Sequence, residues 1–150
     1  STGGHSHRLG EAPGRALYES RDGGDSWVPI AMEIEQEYSV PLAMHPRNPN
    51  VLYSAIAFDN PGGWRGREGG AKGGVIRTND GGISWAFADT GFEEVTRDFV
   101  ETITFDETLP DHVYLGTRKG DVFSSEDAGE SWSKIDIDLP ELTDIHVISF

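Results

Sequence analysis

Ser20-Arg21-Asp22-Gly23-Gly24-Asp25-Ser26-Trp27, Thr78-Asn79-Asp80-Gly81-Gly82-Ile83-Ser84-Trp85 and Ser125-Glu126-Asp127-Ala128-Gly129-Glu130-Ser131-Trp132 share one pattern, Ser/Thr-x-Asp-x-Gly-x-x-Trp, with a Ser before each Trp. It encodes a hairpin tip. The Asp carboxylate can accept hydrogen bonds from backbone N–H groups of the turn, and the Gly supplies the positive φ that other residues resist. The Trp is expected to pack back over the loop as the next strand begins.

Working outward, the same strands recur around each copy. Ala16 to Glu19 precedes the first loop, and Trp27 to about Met32 follows it. Val40 to Pro46 and Asn50 to Ala57 read as strands joined by the turn-rich Pro46-Arg47-Asn48-Pro49-Asn50. The template returns as Val100 to Asp106 and His112 to Gly116, so that Tyr53 answers to Tyr114. Val75 to Arg77 and Val122 to Ser125 lead into the second and third loops. Ile145 to Phe150 aligns with Val100 to Phe105. Repeats of roughly 40 to 60 residues, each with four short strands, are the sequence signature of propeller blades. The expectation is an all-β chain: residues 1–32 as the third and fourth strands of a blade, 38–90 and 98–138 as full blades, and 144–150 as an inner strand of the next. Such a set does not close a ring, which leaves a segment of a longer chain, completed by further blades, or a half-propeller that self-associates.

The loops resemble the Asp-box, or BNR, repeat of sialidases, sortilin-type receptors, xyloglucan-degrading glycosidases and photosystem II assembly factors. In these each copy joins the third and fourth strands of a blade. The resemblance implies a structural role for Ser20, Asp22, Gly24, Trp27, Thr78, Asp80, Gly82, Trp85, Ser125, Asp127, Gly129 and Trp132. It also favours an extracellular or periplasmic location. The same carboxylates could be taken for calcium ligands, but the further acidic positions and closing Glu of an EF-hand loop are missing.

Composition narrows the partners. The 150 residues hold 26 acidic and 12 basic side chains, a formal charge of −14, which argues against polyanionic partners such as nucleic acid or an anionic membrane. There is no Cys, and no apolar run reaches the roughly 18 to 20 residues of a spanning helix. No cofactor and no metal is expected.

In an antiparallel blade successive turns alternate between the two faces of the disc. The Asp-x-Gly loops should share one face with the first-to-second-strand turns. The long second-to-third-strand loops should share the other face with the blade-to-blade linkers, and the site is expected there. Candidates on that face are His5 and His7, whose i, i+2 imidazoles could flank a metal or simply be solvated. Trp64, Arg65 and Arg67 suit stacking on a sugar and gripping a carboxylate, or pairing of the arginines and Arg8 with the acidic linkers. Glu93, Glu94 and Asp98, beside Arg97, could supply the two carboxyls of a glycosidase, which need a separation of about 5 to 9.5 Å. Arg8, Arg65 and Arg97 are the arginines this reading assigns to that face near the blade tops. The leading expectation is a binding or scaffold module for a protein or glycan. The competing one is part of a sialidase- or xyloglucanase-like glycoside hydrolase.

Overall fold

The structure is a computed structural model that describes residues 16–34, 36, 38–58, 61–64, 68–88, 90–91, 98–137 and 139–140. Strands β1 (Tyr18–Glu19) and β2 (Val28–Pro29) form a two-stranded antiparallel sheet. Strands β3 (Tyr38–Met44), β4 (Leu52–Ala57), β5 (Gly74–Thr78) and β6 (Ala86–Phe87) form a four-stranded sheet in sequence order. Strands β7 (Val100–Phe105), β8 (Val113–Thr117), β9 (Val122–Ser125) and β10 (Ser133–Ile135) form a second. Every pairing is antiparallel between sequential neighbours, as in propeller blades. The expected strand at 145–150 lies outside the described residues. One element was not anticipated: the short helix α1 (Pro61–Trp64) between β4 and β5.

The two full blades superpose in register. Leu42 pairs with Ser54 and Ile103 with Leu115, each 61 positions further on. Both inner strands carry a bulge at the same place, between Ser39 and Leu42 in β3 and between Val100 and Thr102 in β7. A bulge re-aims the residues inside it.

Among the described residues, two cores hold the sheets together. Tyr53, Ala55, Val75, Phe99, Val100, Ile103, Val113, Leu115, Phe123 and Trp132 are buried between the full blades. With β1–β2 counted as part of the first blade, β3–β6 as the second and β7–β10 as the third, Leu17, Met32, Ile56 and Ile76 are buried between the first and second, with Ile30 and Trp85 packed at the edge. At about 25 cal/mol per Å² of apolar surface removed from water, such blade-to-blade burial is the main stabilising term. It explains why β4 reads as an almost continuous apolar run: it is covered on both faces.

The repeat loops fold as their residue types require. In the first, Asp22 Oδ1 accepts the Ser26 N–H at 2.9 Å and Oδ2 the Ser26 hydroxyl at 2.5 Å, while Ser20 Oγ accepts the Gly24 N–H at 2.7 Å. The same bonds recur from Ser84 to Asp80 and from Gly82 N–H to Thr78, and from Ser131 to Asp127 and Gly129 N–H to Ser125. Gly24, Gly82 and Gly129 have φ of 101°, 94° and 78°. The preceding position also has positive φ, and in the third loop it is Ala128 at 53°. The pattern gave no hint of that.

The expected burial of the three Trp rings needs correction. Trp132 is 5% exposed, its indole N–H donating to the Ala88 carbonyl of the preceding blade at 3.1 Å. Trp85 is half-buried, and Trp27 is 62% exposed. Both of these donate within their own loops, to Gly82 and Gly24. Burial of each ring depends on the blade before it, and the sequence of the loop cannot express that.

Candidate functional site

The two faces separate as expected. The Gly81 N–H donates to the Asn50 carbonyl and the Ala128 N–H to the Asp111 carbonyl, each at 2.9 Å, tying each repeat loop to the first-to-second-strand turn of its own blade. In those turns Asp106 Oδ1 accepts the Thr108 and Leu109 N–H groups, and at the matching position His45 Nδ1 accepts those of Arg47 and Asn48. The imidazole does the capping work of a carboxylate. His45 Nε2 lies 3.5 Å from Asp111 Oδ1.

On the other face, four segments meet beside the inner strands. Trp64 arrives on α1, Tyr38 at the start of β3, Asp98 and Phe99 on the linker into β7, and Arg118 and Lys119 on the turn after β8. Trp64 meets Phe99 with centroids 5.2 Å apart and Tyr38 edge-on at 5.7 Å, and Tyr38 meets Phe99 at 5.4 Å. The Arg118 guanidinium carbon lies 6.0 Å from the Trp64 ring centroid, and its Nε is 3.7 Å from Glu101 Oε1. The linker is fixed from both sides: the Arg118 N–H donates to the Phe99 carbonyl at 2.9 Å, and the Lys119 N–H to Asp98 Oδ2 at 3.0 Å.

The electrostatics follow from this packing. Burial raises the pKa of Glu101 above the ordinary carboxylate value, Arg118 opposes the shift and Asp98 adds to it. Burial likewise raises Tyr38, with Glu101 adding and Arg118 opposing. A half-buried carboxyl whose pKa is raised by burial, next to a guanidinium and an aromatic cluster, offers a polar ligand a hydrogen-bonding group. The carboxylates of the other face behave oppositely. Asp22 is pulled down to about 2, first by the Ser26 hydroxyl, and Asp127 to about 2, first by the Ser125 hydroxyl; Asp80 is lowered in the same way by Ser84. Groups locked in their ionised form by their own loop make poor acid–base catalysts.

Of the residues singled out from sequence, Trp64 and Asp98 come together here. Trp64 is not the free platform its setting suggested, because it is half-buried against Tyr38 and Phe99. Asp98 accepts the Lys119 backbone N–H. His5, His7, Arg8, Arg65, Arg67, Glu93, Glu94 and Arg97 lie outside the described residues. Arg118 and Glu101 were missed, so the assignment of arginines to this face is enlarged by Arg118. Their signals were weak: Arg118-Lys119-Gly120 reads as a plain turn, and Glu101 as one position in an alternating strand. Among the described residues no group of three His, Cys, Asp or Glu is placed to hold a metal ion. No helix among them is long and apolar enough to cross a membrane.

No protein-family model and no curated protein sequence matches the chain. Solved structures do. An ancestral GH74 enzyme matches with TM-score 0.64 and 28% identity over 81% of this chain and 16% of its own. The GH74 xyloglucanase from Xanthomonas campestris matches with TM-score 0.60 and 17% identity over 81% of this chain and 17% of its own. YCF48 bound to a D1 peptide matches with TM-score 0.54 and 14% identity over 83% of this chain and 34% of its own. The chain thus spans between about a sixth and about a third of these structures. All are β-propeller proteins, and this chain has the fold of a β-propeller segment.

Proposed function

We propose that the chain is an Asp-box propeller segment that binds a protein or glycan on the face carrying Trp64, Arg118, Glu101 and Asp98. The observation that carries this reading is the convergence of four separate segments on one cluster in which an aromatic ring, a guanidinium and a half-buried carboxyl of raised pKa lie together. Arginine and aromatic side chains are enriched where binding energy concentrates. The three repeat loops are Asp-boxes in this reading, and their carboxylates serve the fold. The solved structures in the comparison include a protein bound to a peptide and a xyloglucanase, which supports both ligand classes.

The second reading is a share in a glycoside hydrolase site. Glu101 favours it, since burial beside Arg118 shifts its pKa upward, the direction in which glycosidase general acids are tuned. The test is isothermal titration with xyloglucan oligosaccharides and with a peptide panel, together with an assay for released reducing sugar. Binding that falls at least tenfold in Arg118→Ala, without hydrolysis, supports the binding module. Hydrolysis lost in Glu101→Gln supports the enzyme. Binding indifferent to both substitutions overturns the assignment of the face.

A further inference from the structure

The pair Glu101 and Arg118 has no charged counterpart in the other full blade. The offset of 61 residues that carries Leu42 onto Ile103 also carries Val40 onto Glu101 and Ala57 onto Arg118. The second blade keeps both positions apolar and folds without either charge. Glu101 sits in the bulge between Val100 and Thr102, which turns a side chain out of the strand's alternation. Its side chain is 25% exposed and that of Arg118 43%, and the Arg118 Nε stops 3.7 Å from Oε1. That is too long for a hydrogen bond. Among the described residues neither side chain makes one.

A guanidinium presents parallel N–H donors that fit the two oxygens of a carboxylate, and in Arg118 that fork is uncommitted. An ionised Glu101 holds Arg118 only loosely, yet it opposes any second carboxylate brought to the same fork. The other charged and titratable neighbours among the described residues are few. Asp98 lies on the linker, where its Oδ2 accepts the Lys119 N–H at 3.0 Å. Lys119 adds a second, exposed cation next to Arg118. Tyr38 faces the pair from β3, and Trp64 on α1 carries no charge. Asp121, at the end of the same turn, is paired with Lys134 at 2.8 Å.

We infer, on the reading of this face as the binding site, that Glu101 is a built-in competitor for the Arg118 guanidinium. The face then takes an Asp or Glu side chain of a partner protein, and holds it more tightly once Glu101 is protonated. A proton on Glu101 removes one negative charge beside the fork, leaves the guanidinium to the ligand and adds an O–H donor. Burial, which already favours the protonated form, works in the same direction. The linkage is reciprocal: a bound carboxylate draws a proton onto Glu101, so affinity falls as pH rises through its titration. Two observations favour a protein over a polysaccharide. Tyr38, Phe99 and Arg118 are all drawn up to the Trp64 ring, which leaves little of it for a sugar to stack on. A chain of formal charge −14 also repels a polymer that carries an acid on every ring, whereas a single carboxylate needs only the Arg118 fork.

The probe is an acetylated, amidated pentapeptide with one central Glu, beside its Gln twin. Each is titrated into the full chain at about pH 7.5 and about pH 5.5 while the Trp64 indole signal is followed; both values lie above the pKa of about 4.3 of the peptide Glu, which stays ionised. The expected result is roughly three- to tenfold tighter binding of the Glu peptide at the lower pH, with the Gln twin weaker and indifferent to pH. Glu101→Gln should bind the Glu peptide at the higher pH as tightly as wild type does at the lower, and should lose the pH dependence. Arg118→Lys keeps the charge but not the fork, and should weaken binding at both. An affinity that ignores pH, or a pH dependence that survives Glu101→Gln, overturns the inference and leaves the face a binding site. So does stronger binding of oligogalacturonate or of an uncharged xyloglucan oligosaccharide. A Glu peptide that fails to bind also overturns it, and the reading of the face falls as well if no ligand moves the Trp64 signal.

Discussion

The ring of Tyr53, on β4 of the second blade, occupies the space that a side chain on Gly129, in the repeat loop of the third blade, would fill. The Tyr53 hydroxyl donates to the carbonyl of Ala128, next to that glycine. Arg77 completes the junction, its guanidinium carbon 5.7 Å from the Tyr53 ring centroid and its Nη1 paired with Glu130. Burial pushes the Tyr53 pKa up to about 12, which keeps the hydroxyl a donor at any ordinary pH. One loop thus locks its own hairpin and the joint to the blade before it.

That arrangement separates two glycines that the sequence pattern treats as equivalent. Gly82→Ala meets only the backbone cost of an L residue at positive φ, about 1–2 kcal/mol. Gly129→Ala adds the clash with Tyr53, a further 1–3 kcal/mol or so by analogy with overpacked cores. Urea denaturation of the two variants should rank Gly129→Ala as clearly the less stable. Equal losses would mean that Tyr53 does not sit against the third loop.

The tryptophans make a similar comparison. Trp132→Ala should cost about 3–5 kcal/mol, as for other buried aromatic truncations. Trp27→Ala should cost under about 1 kcal/mol, because its ring stands mostly in solvent. Equal Tm losses would contradict the dependence of each ring on the preceding blade.

Ala128 is held at a φ of 53° where the other two loops have Gly. Ala128→Gly relieves a left-handed conformation and loses some unfolded-state restriction, with a net gain of up to about 1 kcal/mol. A rise in the urea midpoint with unchanged slope is the expected signature; a fall would show that Ala128 packs better than it strains.

The loop carboxylates set the acid limit. Asp22 and Asp127 titrate at about 2 in the folded chain, against about 3.9 unfolded. A depressed folded pKa contributes stability that is complete above the unfolded value and disappears as pH falls through the folded one. The chain should therefore lose stability between about pH 4 and pH 2, and Asp22→Asn and Asp127→Asn should flatten that part of the curve. Glu101 has the opposite sign, its raised pKa making its contribution less favourable as pH rises through its titration. Stability curves with the same acid slope in wild type and the Asn variants would refute the assignment.

Much of this was legible in the residues. The Ser/Thr-x-Asp-x-Gly-x-x-Trp loops and the recurrence of Tyr53 at Tyr114 led to four-stranded blades, because local turn chemistry and strand alternation are short-range properties. Trp27 and Trp132 carry the same local signal and end in opposite environments, because burial is decided by a neighbouring blade. Glu101 escaped notice for another reason. It lies in the bulge between Val100 and Thr102, which breaks the simple alternation that would assign it a face. Trp64 looked like an exposed platform because nothing local announces that Tyr38 and Phe99, distant in sequence, close on it.

The account rests on a division of labour between the two faces, and the four indole N–H groups report on both. Trp27, Trp85 and Trp132 belong to the repeat-loop face and Trp64 to the other. The decisive measurement is a two-dimensional NMR titration of the tryptophan indole signals with xyloglucan oligosaccharides and with the peptide panel. The account predicts that a ligand which binds shifts Trp64 and leaves the other three in place. A ligand that shifts Trp27, Trp85 or Trp132 while Trp64 stays still would contradict it.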